Sequence, residues 1–135
     1  MIRFRFPSKG FRRAIILSIF FLPAVFVARS PAANTDALGE LHEKRNDFRS
    51  AAGAYLNAHT LSPLWDKPPS HLAVVYGKLD RLGDAYYYLG RSLLLQDEDE
   101  RAFAAFEKAA KIVGAGSPRG QLIGEELKSL RARRK

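Results

Sequence analysis

Residues 38–63 read LGELHEKRNDFRSAAGAYLNAHTLSP, and the spacing of their small and aromatic residues decides the fold. Leu38 and Gly39 are followed by Ala51, Tyr55, Ala58 and Pro63. Gly39, Ala51 and Ala58 are small enough to let two antiparallel helices approach closely, Tyr55 is large enough to fill the gap, and Pro63 stops the second helix. The stretch predicts a helical hairpin, with one helix over 36–44 and another over 47–61. In the second helix Phe48, Ala51, Ala52, Tyr55 and Ala58 fall near one stripe. Residues 29–35, RSPAANT, read as a short linker in which Asn34 or Thr35 caps the first helix.

Beyond the hairpin, LSPLWDKPPS at 61–70 carries Pro63, Pro68 and Pro69 and reads as a long connection, with Trp65 packed back onto the hairpin. Ser70 is placed to cap a third helix over 71–82, in which Leu72, Val75, Tyr76 and Leu79 share a face. A fourth over 84–96 is apolar through Ala85, Tyr86, Tyr88, Leu89, Leu93 and Leu95, and is expected to be the most buried. The acidic run Asp97–Glu100 opens a fifth, where negative charge suits a helix N-terminus. Gly114 to Pro118 ends it and starts a sixth, more polar helix reaching Arg133. Six helices make an all-α chain of about three hairpins.

The hairpin pattern resembles the tetratricopeptide repeat, a 34-residue unit of two antiparallel helices. One period on, Leu72, Ala73, Tyr76, Ala85 and Leu89 take the corresponding places. A frame shifted by half a unit also matches, through Tyr86, Leu89, Gly90, Leu93, Ala102, Phe106 and Ala109. The unshifted frame is preferred because it leaves no orphan helix. The resemblance covers residues 34–133, so a domain at 33–133 is expected, with residues 134–135 a basic end. From Leu72 to Pro118 the chain is similar, more particularly, to the C-terminal repeat region of periplasmic zinc metallopeptidases that act in quality control of outer-membrane protein assembly. That resemblance implies a short helical solenoid used as an interaction scaffold, without the peptidase domain.

The amino terminus reads as an export signal. Arg3, Arg5, Lys9, Arg12 and Arg13 precede an apolar run at 14–28, which at about 15 residues is short of the roughly 20 that span a bilayer. Ser30 and Ala32 suit a cut between Ala32 and Ala33, so residues 1–32 are a cleaved signal peptide or, alternatively, a retained membrane anchor. Six of the 22 Lys and Arg lie there, leaving 16 against 14 acidic residues. The remainder has a mildly acidic body and a basic tail at Lys128, Arg131, Arg133, Arg134 and Lys135, placed where a helix C-terminus favours cations. With no cysteine, disulfides and thiolate metal sites are excluded. Export to a periplasm or cell envelope fits this composition.

No constellation for catalysis emerges, so a non-enzyme is expected, with no cofactor and no metal. His42-Glu43-Lys44-Arg45-Asn46 is the nearest string to the HExxH zinc motif, but Asn46 stands where the second His is required. Tyr86, Tyr87 and Tyr88 read as two core residues and one groove residue rather than a stacking platform for bases. The repeat resemblance implies a groove lined by the first helix of each pair, which presents Asp36, Glu40, Glu43 and Lys44, then Val74, Lys78 and Arg81. Tyr87 and Arg91 join it in the shifted frame. The expected function is an exported adaptor binding another envelope protein or a client peptide. Alternatives are a docking or regulatory subunit related to the envelope metallopeptidases, and an inner-membrane-anchored organiser. A protein or peptide partner and a possible homodimer are expected, with no nucleic acid and with membrane contact only through the N-terminal segment.

Overall fold

A computed structural model describes residues 30–134. Most of the expected signal or anchor segment, and Lys135, lie outside the described residues. Six helices follow one another: α1 (Pro31–Lys44), α2 (Phe48–Leu61), α3 (Lys67–Lys78), α4 (Leu82–Leu95), α5 (Asp99–Val113) and α6 (Pro118–Arg133). No strand occurs among the described residues. None of these helices is long and apolar enough to cross a membrane.

Two helix starts lie four or five residues before their expected positions, and proline is the reason in both, while α4 begins at Leu82, so that the expected turn residue Gly83 is helical. The stretch expected as a linker is helical from Pro31, with the Ser30 hydroxyl accepting from the Ala33 N–H at 3.2 Å. Thr35 caps nothing; its hydroxyl donates back to the Ala32 carbonyl at 3.0 Å. Likewise α3 begins at Lys67, so Pro68 and Pro69 stand in its first turn and are fully buried. A first-turn residue has no intrahelical partner for its N–H, so proline costs nothing there and its fixed φ suits the helix.

Three of the five connections are the same turn. Asn46, Asp80 and Asp97 adopt φ of 58°, 58° and 59° after α1, α3 and α4. In each, the next N–H returns to a carbonyl five residues back at 2.9 Å: Asp47 to His42, Arg81 to Tyr76 and Glu98 to Leu93. This left-handed helix ending usually takes Gly, with Asn and Asp the side chains that tolerate it best.

The interhelical packing carries a close hairpin from each of the two repeat frames. A Cβ on Gly39 would meet the Tyr55 ring at 2.5 Å, and one on Gly90 would meet the Phe106 ring at 2.7 Å. The glycine-on-ring contact thus occurs between α1 and α2, the first hairpin of the preferred frame, and between α4 and α5, a hairpin of the shifted one. Ala51, Tyr55 and Ala58 in one hairpin and Ala102, Phe106 and Ala109 in the other are all wholly buried. In the unshifted frame Leu89 would fill the same place, yet it is exposed. The turns at Asn46 and Asp80 nevertheless keep the 34-residue interval. Both frames matched because α4 closes one hairpin with α3 and opens another with α5.

Each helix packs chiefly on its chain neighbours, in a repeat-like stack. Alternate helices also touch: α1 meets α3 through Asp36 and Lys67, and α4 meets α6 through Asp84 and Arg119. Leu72, Val75, Phe106 and Ile123 centre the shared apolar core. Within α4, Tyr87 and Tyr88 are buried while Tyr86 is half-buried, so the tyrosine expected to face a groove is Tyr87 but the one nearest solvent is Tyr86.

Candidate interaction surface

The nine residues expected to line a groove separate into two polar seams and three exposed positions. On α1, Asp36, Glu40 and Glu43 recur at helical spacing and face α3, where Lys67 and His71 recur likewise. The Lys67 ammonium donates to Asp36 at 2.8 Å and to Glu40 at 2.7 Å. His71 stands 3.9 Å from Glu40 through Nε2 and 3.6 Å from Glu43 through Nδ1. Its ring stacks on Tyr55 with centroids 4.6 Å apart, and the Tyr55 hydroxyl donates to Glu43 at 2.6 Å. The hydrogen bond from Lys67 holds the Glu40 carboxyl below its usual range, and the bond to Asp36 holds the Lys67 ammonium above its own. Burial, reinforced by Glu43, pushes the Tyr55 phenol well up, so it remains a donor. Asp36 is only 1% exposed. Lys44, Val74 and Lys78 lie exposed at the far end of the same seam.

The second seam joins α4 to α6. Arg91 bonds Glu126 at 2.5 Å, and Arg119 bonds Asp84 at 3.0 Å. The Arg119 guanidinium also lies over the Tyr87 ring, 4.3 Å from its centroid. In this chain, therefore, Tyr87 is covered and Arg91 is occupied, and both hold helices together.

Arg81 connects the second seam to open surface. It pairs with Asp84 at 2.6 Å and lies 4.7 Å above the Tyr76 ring. On one side it borders a cavity of about 500 Å3 with Arg49, Ala52, Leu56, Tyr76 and Leu79. On the other it borders one of about 470 Å3 with Asp84, Val113, Ser117, Arg119 and Leu122. Taken together the two cavities are lined by three guanidiniums against one carboxylate, which makes the surface on either side of Arg81 cationic, and Arg49 makes no ion pair with the described residues. Their lining includes the apolar Leu56, Leu79, Val113 and Leu122.

Sequence reasoning missed Lys67, His71, Arg49, Asp84 and Arg119. The first two were legible in part, since Lys67, His71, Val74 and Lys78 follow one helical stripe once the helix starts at Lys67. The others depend on contacts such as Asp84 with Arg119, 35 residues apart. The HExxH-like string has no zinc geometry here: Asn46 lies past the end of α1, and His42 turns to Asp47 at 3.5 Å.

Residues 51–111 match the family model described as Est1 DNA/RNA binding domain, a stretch covering less than half of the chain. No curated protein matches the sequence. The family match overturns the expectation that nucleic acid is excluded as a partner. That exclusion rested on reading the basic tail as a helix-end feature and Tyr86, Tyr87 and Tyr88 as core and groove residues, and neither reading considered Arg49, Arg81 and Arg119, which line the cavities on either side of Arg81.

Proposed function

We propose that this chain is a non-enzymatic scaffold of tetratricopeptide-like helical hairpins that seats an extended, acidic segment of a protein or peptide partner along the cleft on either side of Arg81. The observation that carries this reading is that Arg81 lines both cavities, and that Arg49 and Arg119 line them too, together with the apolar Leu56, Leu79, Val113 and Leu122. Paired cations steer and orient an acidic segment, while the floor buries its apolar side chains. On the same reading residues 1–32 direct export or anchor the scaffold, which then serves as an envelope adaptor. Its likeness to the metallopeptidase repeat region supports the alternative of a docking subunit for a peptidase supplied in trans.

A second reading is favoured by the family match, whose span includes Ala52, Leu56, Tyr76, Leu79, Arg81 and Asp84 of the cleft. Here the same guanidiniums hold the phosphates of a single-stranded nucleic acid.

A photocrosslinking side chain at Gly53, where an added Cβ meets nothing within 4 Å, tests both. Capture in cells of a protein, lost in an Arg49→Glu, Arg81→Glu variant that keeps its helical circular dichroism, supports the scaffold. A nuclease-sensitive adduct lost in that variant supports the second reading. An adduct unchanged by the substitutions removes the cleft from the function.

A further inference from the structure

The seam between α1 and α3 holds more acceptors than its cation satisfies. Asp36, Glu40 and Glu43 present three carboxylates, and the only Lys or Arg among the described residues paired with them is Lys67. Asp36 is almost wholly buried; its Oδ2 accepts from Lys67, but its Oδ1 has no hydrogen-bond partner. A buried carboxylate oxygen without a donor is costly, and a bound cation is one of the few ways to satisfy it. One oxygen each of Asp36 and Glu40 and one ring nitrogen of His71 lie within 4.8 Å of one another.

The histidine ring is held between the carboxylates of Glu40 and Glu43. Its Nδ1 faces Glu43 at 3.6 Å while Nε2 faces Glu40, and its ring is fixed by the stack on Tyr55. Glu43 is held in turn by the Tyr55 hydroxyl. At 3.6 Å Glu43 lies just beyond hydrogen-bond distance of Nδ1, near enough to become its partner when an ion takes Nε2 and so to leave that nitrogen's lone pair for the ion.

We propose that Asp36, Glu40 and His71 bind a divalent transition-metal ion, with zinc the best fit, and that Lys67 is a built-in competitor whose ammonium stands in the cation's place. One imidazole with two carboxylates suits zinc or manganese better than magnesium or calcium, which take all-oxygen shells. Zinc bonds of about 2.0–2.2 Å require the three donor atoms to draw together by about 1 Å, a change within reach of side-chain torsions. Lys67 has a long stem, is 44% exposed and sits at the first position of α3, so it can swing into solvent without disturbing the core. Glu43 acts as a positioning residue. The site is independent of the Arg81 cleft and stands whether or not that cleft binds a partner.

The test is calorimetric titration of the full-length chain with zinc chloride, repeated with manganese chloride, on wild type and four variants. Wild type takes up one equivalent of zinc, and Lys67→Met binds at least tenfold more tightly because the competitor is gone. Asp36→Asn and His71→Gln lose binding, and Glu43→Gln weakens it about tenfold. His42→Ala, away from the site, leaves the stoichiometry at one. Absence of saturable zinc binding in both wild type and a folded Lys67→Met variant overturns the proposal, as does uptake that survives His71→Gln but is lost in His42→Ala. Lys67→Met carries the decision should Asp36→Asn or His71→Gln fail to fold.

Discussion

Replacing Gly90 with alanine sets two effects of known sign against each other. In an open helical site the change gains about 1 kcal/mol, because glycine is the poorer helix former. At Gly90 the new methyl would lie 2.7, 2.8 and 2.9 Å from three carbons of the Phe106 ring, 0.5–0.7 Å inside the 3.4 Å at which ordinary contact begins. Phe106 is wholly buried and also meets Tyr87 with ring centroids 5.9 Å apart, so it has nowhere to retreat. Forcing one methyl into such packing costs about 1–3 kcal/mol, and a locked ring places the cost in the upper half of that range. The net expected loss is about 1–2 kcal/mol, or roughly 5–10 °C in Tm for a domain of this size. Gly124→Ala is the control: it lies within α6 with nothing within 4 Å, and should gain about 0.5–1 kcal/mol. Urea melts followed by circular dichroism measure both. A Gly90→Ala, Phe106→Leu double variant should lose less than the two single losses combined, since the shorter side chain makes room. A Gly90→Ala protein as stable as Gly124→Ala would refute the close-approach argument for α4 against α5.

Other perturbations test different links. Asp80→Gly relieves a left-handed backbone position with no side-chain bond to lose and should stabilise by about 0.5–1 kcal/mol, read as a raised urea midpoint. Ser117→Ala removes the cap bonded to the Gly120 N–H at 3.0 Å; a loss of about 1 kcal/mol is expected, with faster amide exchange confined to the start of α6. Burial, aided by the charge of Arg91, holds the His59 imidazole below its usual value near 6.5, so the unfolded chain takes up this proton more readily than the folded one. Stability should therefore fall as pH drops through about 6.5, and His59→Phe should flatten Tm between pH 7 and 5 while keeping an aromatic edge against Tyr88. A pH profile unchanged by that substitution would show that other groups set the acid limb.

The sequence disclosed the helices more readily than their edges, and the hairpins more readily than the surface. Helix type was legible because the stripes of α2 and α5 are carried by alanine and aromatic residues at helical spacing, which nothing in the tertiary structure overrules. The starts of α1 and α3 were misplaced because proline reads as a breaker in a string but is a good first-turn residue in a helix, and only the chain direction before it tells which. The repeat frame stayed double because α4 has two partners. The polar seams were half legible. Asp36, Glu40 and Glu43 could be assigned to one face, but that this face meets Lys67 rather than solvent depends on how α3 comes to lie beside α1. Arg119 stacking on Tyr87 carried no signal at all, since neither side chain's neighbours in the chain mark it.

Because packing runs chiefly between consecutive helices, the contacts that close this structure are short-range along the chain, and little entropy is spent on long loops. Folding should be fast, and it need not involve the whole chain at once. The two ends are not equivalent in this respect. α6 is the most polar helix, is fastened at its tail by Arg133 to Asp99 and Arg134 to Glu100, and packs on α5 more sparsely than any other consecutive pair packs. These outer ion pairs contribute little each, so α6 is the element that thermal motion peels away first. Its departure removes Arg119 from above Tyr87 and Glu126 from Arg91, laying bare an aromatic and cationic face on α4. Fraying in this chain is thus a change of surface chemistry as well as a loss of order, and added salt, which screens the outer ion pairs, makes it somewhat more frequent.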